Sequence, residues 1–256
     1  MSPLLVTLAV VTALAAAMRS TWSPCGLSML STITPIGERG RRNRYHVTAL
    51  WFVVGALLGG ATLGAAAAAL AAGVALVELS PDVLAGAAAV CGAVTIASDL
   101  SIGGFRLPTH TRQVNETWLD QYRSWVYGGG FGWQIGVGLA TYVTTSAVYL
   151  LIVLAALTAS PLAAFYVVTG FGLVRGLAVY LGRSLTTPER MMALHRRLDE
   201  LLPAAQRLIV LTQAAVVTVA AAAAWGPAPA VAIAAAAGVT VVLRQPRPAT
   251  RVARPA

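Results

Sequence analysis

A chain of 256 residues that is 57% hydrophobic and 11% charged, with a mean hydropathy of +0.74, cannot clothe a soluble domain in an ordinary polar surface. The net charge of +9 comes from arginine alone, since the chain has no lysine, and no folded basic domain is present that would make it a nucleic-acid signal. The apolar stretches are long, rich in Ala, Leu and Val, and lack the period-two alternation of a barrel, so the expectation is an all-α integral membrane protein, a polytopic helical bundle.

In chain order, the spans are expected at about residues 4–36 (broken at Pro24), 47–77, 83–104, 129–158, 161–182, 206–225 and 228–243. The last is short for a ~30 Å hydrocarbon layer at ~1.5 Å per residue, so six spans is the alternative to seven. A signal peptide is disfavoured at the start because no basic segment precedes the apolar run. All arginines except Arg19 and Arg175 fall in four places: Arg39 to Arg44, Arg106 to Arg123, Arg183 to Arg207, and the tail from Arg244. Alternating spans put these on one side, so the positive-inside rule sets the N-terminus outside and the C-terminus in the cytoplasm. The expected setting is a multi-pass cell membrane protein of the bacterial inner membrane, with the lipid bilayer as its first partner. The Pro- and Arg-rich segment 244–256 is expected to be a disordered basic tail.

Two connections carry helical patterns. In 107–126, Val114, Trp118, Tyr122 and Trp125 recur at helical spacing, which suits an amphipathic helix at the headgroup boundary. From Thr187, the order Thr, Pro, Glu predicts an N-cap with Pro in the first turn, followed by a stripe of Met191, Leu194, Leu198 and Leu201. Packing against the bundle is the plain function of both.

The chemistry-bearing feature is Ser23, Pro24 and Cys25, where Pro breaks a helix and presents a thiol at membrane depth. A second segment echoes it: with Trp22 aligned to Trp133, Ser23 falls opposite Gln134 and Cys25 opposite Gly136. The echoes predict a 3+3 inverted repeat of spans, repeat 1 at about 4–104 and repeat 2 at about 129–225, in a domain covering 1–225, with 226–243 as an added helix. Substrate-pathway candidates at the repeat interface are Gln134, Gly136, Arg175 and Asp99. Arg19 and Arg175 are ionisable groups at membrane depth, costly there and therefore functional candidates. Arg19 could favour the Cys25 thiolate or snorkel to the interface, and Arg175 could pair with Asp99. Met18, Cys25 and Met29 would suit Cu(I), but Met is a common packing residue, and no metal is assigned. His46, His110 and His195 lack ligand spacing, no nucleotide motif occurs, and no cofactor is expected.

At these residues the chain resembles the transmembrane thiol-disulfide carriers of the CcdA and DsbD type, the cytochrome c biogenesis transmembrane region. The resemblance rests on Ser23, Pro24 and Cys25, on Phe131, Gly132 and Trp133, and on the stretch from Gly104 to Pro108. It implies thiol-disulfide exchange, with reducing equivalents crossing the membrane through Cys25 and thioredoxin-like proteins as partners. The family's second cysteine is replaced by Gly136, which leaves Cys91 as the other sulfur that could complete the cycle. The second expectation is a redox-inactive relative that serves as a small-solute transporter or as an assembly subunit for another membrane protein.

Overall fold

The computed structural model describes residues 3–108, 117–228, 230 and 231. Among these every regular element is helical, and the chain is a polytopic helical membrane protein. The helices are α1 (Pro3–Ser20), α2 (Pro24–Thr32), α3 (Pro35–Gly40), α4 (Tyr45–Leu76), α5 (Pro81–Asp99), α6 (Trp118–Gln121), α7 (Ser124–Val137), α8 (Ala147–Leu157), α9 (Pro161–Leu177) and α10 (Pro188–Trp225). Five stretches are long and apolar enough to cross a membrane: α1, α4, α5, α9 with its 3-10 extension to Ser184, and α10.

Local sequence explains where many helices begin. Five of them, α2, α3, α5, α9 and α10, open with Ser or Thr followed by Pro. In each the hydroxyl accepts a hydrogen bond from the backbone N–H three residues on, at 3.0 Å for Ser23 and 3.1 Å for Thr34. Proline costs nothing at that position because its missing N–H would have no helical acceptor. Pro24 is thus the first residue of a new helix, started by the Ser23 cap, and the first span is interrupted at residues 21–23.

The second interruption lies between α7 and α8. Gly138 ends α7 with φ +75°, a conformation that favours glycine, and residues 139–146 run without regular structure to Ala147. α4 packs against both α7 and α9. Backbones touch there: a Cβ on Gly132 would collide with the Phe52 carbonyl, and one on Gly172 would lie 2.6 Å from the Cα of Gly60. α5 pairs with α10, and α1 closes the bundle against α8, α9 and α10.

Two boundaries differ from expectation. The amphipathic segment 107–126 is not one helix: α6 is a single turn, Trp125 already belongs to α7, and Arg112, Val114 and Glu116 lie outside the described residues. The helix from Thr187 and the span 206–225 are one continuous helix, α10, with Pro203 inside it. The added helix at 226–243 lies outside the described residues apart from its opening positions, and the tail 244–256 lies wholly outside them.

Candidate functional site: a polar chamber at the break between α7 and α8

Irregular backbone inside a bilayer is tolerated where it is buried in protein or lines a polar cavity. The segment 139–146 does both, and Asp99 at the end of α5 organises it. One carboxylate oxygen accepts the Ser146 N–H at 2.7 Å; the other accepts the Thr145 hydroxyl at 2.6 Å and the Gln213 amide at 3.1 Å. Asp99 therefore sits at the start of α8, where unpaired N–H groups and the helix dipole favour negative charge. Beside it the Ser146 hydroxyl donates to the Ser98 hydroxyl at 2.7 Å, and that oxygen also accepts the Leu107 N–H at 2.9 Å.

Above this corner lie two adjoining lobes of about 290 and 380 Å³, which share Arg19, Asp99, Thr144, Thr145 and Gln206. Arg207 borders the first and Arg106 the second. Arg19 is only 9% exposed, and its Nη1 is buried with no hydrogen-bond partner, as are the Thr144 hydroxyl and the Gln213 Oε1.

The remaining sequence candidates are divided. The structure brings Arg19, not Arg175, to the chamber with Asp99. Arg175 is buried in α9, 5.4 Å from the Phe171 ring centroid. A void of about 10 Å³ beside Arg175 is bordered by Gly26, Met29 and Ile135, where α2 meets the end of α7. Met29 and Cys25 are buried while Met18 is half exposed on the outer side of α1, so the three soft ligands are not gathered. Gln134 is half-buried on α7.

The two cysteines occupy different parts of the core. Cys25 is buried near the start of α2, whereas Cys91 packs against the cluster formed by Leu5, Leu8, Ala88 and Leu150. Neither cysteine is in a disulfide. Nor could a second thiol replace Gly136, because any Cβ there would collide with the Ala56 carbonyl where α7 crosses α4.

Sequence reasoning missed Glu38. It is fully buried on α3, where Oε1 pairs with Arg41 at 3.1 Å, Oε2 accepts the Thr48 hydroxyl at 2.7 Å, and the Tyr127 hydroxyl lies 2.7 and 2.8 Å from its two oxygens. The signal was there: Glu38 is the one acid in the arginine-rich stretch from Pro35 to Arg44. Ser31 and Trp22 were also passed over as anchors; they bond His195 at 3.1 Å and the Leu198 carbonyl at 2.7 Å, tying α10 to the first break.

The fold and site define a multi-pass helical membrane protein with helix breaks after α1 and α7 and a polar chamber lined by three arginines. No family model matches the chain, and no solved structure matches it. It is 31% identical over 210 residues to methylamine utilization protein MauF of Methylorubrum extorquens, covering 78% of this chain and 71% of that one. With MauF of Paracoccus denitrificans the identity is 31% over 216 residues, covering 81% and 75%. With MauF of Paracoccus versutus it is 31% over 173 residues, covering 65% and 61%. The chain belongs to the MauF family.

That membership corrects the resemblance to CcdA and DsbD, and with it the expected transfer of reducing equivalents through Cys25 and the cytochrome c biogenesis setting. The short motifs behind the resemblance have structural causes: a Ser-Pro helix start at residue 23, and glycines where α7 crosses α4.

Proposed function

We propose that this chain is a membrane assembly subunit serving methylamine utilization in the bacterial inner membrane, working on another protein of that system. The observation that carries the reading is the family: relatives covering most of the chain are named methylamine utilization proteins. The chamber supports assembly over transport of methylamine itself. Methylamine is a cation at neutral pH, and Arg19, Arg106 and Arg207 face one acid, Asp99, whose oxygens already accept three hydrogen bonds. Such a chamber repels a cation.

The N-terminus is outside and the chamber faces the cytoplasm, because the arginine-bearing connections flank it. Two three-span units related by inversion fit the packing: α4 packs against α7 and α9, α5 against α10, and α1 meets α9 and α10 as α7 and α8 meet α4 and α5. Asp99 and Arg19 belong to the working site; Arg175, Gln134 and Gly136 position α7 and α9 around it, and Pro24, Cys25 and Cys91 are structural.

Deletion of the gene in its host tests the assembly role. Growth on methylamine should fail while growth on ammonium is kept, and uptake of labelled methylamine should be unchanged. Undiminished growth on methylamine, or lost uptake, overturns the reading.

A further inference from the structure

We infer that the chamber at the break between α7 and α8 binds a small anion bearing a carboxylate or phosphate group, held by Arg19 and Thr144 and drawn in by Arg106 and Arg207. The inference stands on the chemistry of the chamber and is independent of the assembly role.

Burying a guanidinium is costly unless its charge and its donors are answered. Arg19 is buried at the end of α1, yet its Nη1 has no hydrogen-bond partner. Asp99, the one acid lining the lobes, is engaged by Thr145, Ser146 and Gln213. Thr144, on the same wall, buries a hydroxyl that is also unpartnered. Two further arginines, both exposed, border the lobes, so the chamber carries three positive charges against one negative. A guanidinium donor and a hydroxyl that line the same lobes suit a planar or tetrahedral oxyanion, which would satisfy the orphaned Nη1 and offset the surplus charge. Lobes of about 290 and 380 Å³ admit the anion together with a small organic body.

Such a group could arrive on a free metabolite or on an anionic lipid, so the test separates the two. The purified full chain in phosphatidylcholine nanodiscs is titrated with inorganic phosphate and with succinate, at constant ionic strength set by chloride, reading the unfolding midpoint and calorimetric heat. A parallel sample is made in nanodiscs containing phosphatidylglycerol. Saturable stabilisation of wild type by phosphate or succinate, weakened about tenfold or more in Arg19→Gln, supports a free anion. Stabilisation by phosphatidylglycerol alone, lost in the same variant, supports a lipid headgroup. No response to any of the three overturns the inference, and so does an undiminished response in Arg19→Gln. Should that variant fail to fold, Thr144→Val and Arg207→Gln decide: weaker binding in either supports the site, and unchanged binding in both sinks it. Growth on methylamine is not part of the readout, so this inference and the assembly role fail separately.

Discussion

Two carboxylates anchor hydrogen-bonded clusters, Glu38 fully buried on α3 and Asp99 half-buried at the end of α5, and their surroundings differ. Glu38 is closed off: an arginine and two hydroxyls meet its oxygens, and Asn43 in turn donates to the Tyr127 hydroxyl at 3.1 Å. Asp99 is equally well bonded but borders open volume, with a buried arginine nearby that has an unpartnered donor. A saturated polar cluster fixes the arrangement of its helices, whereas a cluster with surplus donors and space has the makings of a site. Hydrogen bonding to a carboxylate alone would have marked both as functional; the surplus donors and open volume at Asp99 separate them.

Glu38→Ala should have the largest effect. It leaves the Tyr127 and Thr48 hydroxyls without their acceptor and takes the carboxylate from Arg41, which keeps the Thr32 carbonyl; each lost hydrogen bond to the buried charge costs about 1.5–3 kcal/mol. The expected outcome is a steep drop in the unfolding midpoint and in the yield of monodisperse protein in detergent. A variant as stable as wild type would mean that the closed cluster is not what joins α3, α4 and α7.

Gly136→Cys comes next. The substitution supplies the thiol that a disulfide carrier would need, but its Cβ must displace the Ala56 carbonyl where α7 crosses α4. Overpacking of this kind costs about 1–3 kcal/mol. A lowered midpoint without gained thiol exchange is expected; a variant of normal stability would show that α7 can move off α4.

How much of this was legible beforehand depended on the range of the interaction. The membrane class and the long spans follow from hydropathy, which each segment carries by itself, and α4, α5 and α9 lie where their apolar runs place them. The break at Pro24 was also local, although its cause is the Ser23 cap and not a kinked helix. The second break was legible only as an echo, because Gly138 and the Thr-rich run after it have no strong signature of their own. Arg19 and Asp99 could be singled out as charges at membrane depth, yet their common chamber could not, since it depends on how α1, α5, α8 and α10 meet. Glu38 was hidden for the opposite reason: among so many arginines it reads as a solvated loop charge until the fold covers it.

Asp99→Asn sharpens the comparison because it should move two readouts in opposite directions. Losing charge-assisted bonds to Thr145, Ser146 and Gln213 should destabilise the protein by about 1.5–3 kcal/mol. Removing the chamber's one negative charge should at the same time tighten phosphate or succinate binding several-fold, read by calorimetry. If Asp99 only capped α8, as Glu38 only joins helices, stability would fall and anion affinity would not rise.

The smallest effects are expected at the sulfurs. Cys25 is buried near the start of α2, and Cys91 packs against an apolar cluster drawn from α1, α5, α8 and α10, where it fills space as a small hydrophobe. Cys91→Ala should lower stability by less than about 1.5 kcal/mol, the scale of a small volume loss, and Cys25→Ser should retain growth on methylamine. The two variants test the division between structure and site from the side where the sequence seemed most eloquent. The thiol presented by Ser23 and Pro24 caught attention because cysteine is rare and reactive, but reactivity needs a partner sulfur, a metal or an open path. Its neighbourhood offers packed helices and a void of about 10 Å³, roughly the room for one water. If Cys25→Ser abolished growth on methylamine while the protein remained folded and abundant, the thiol would have a chemical use that its packing does not reveal, and the boundary between site and scaffold would shift from the chamber at Asp99 towards α2.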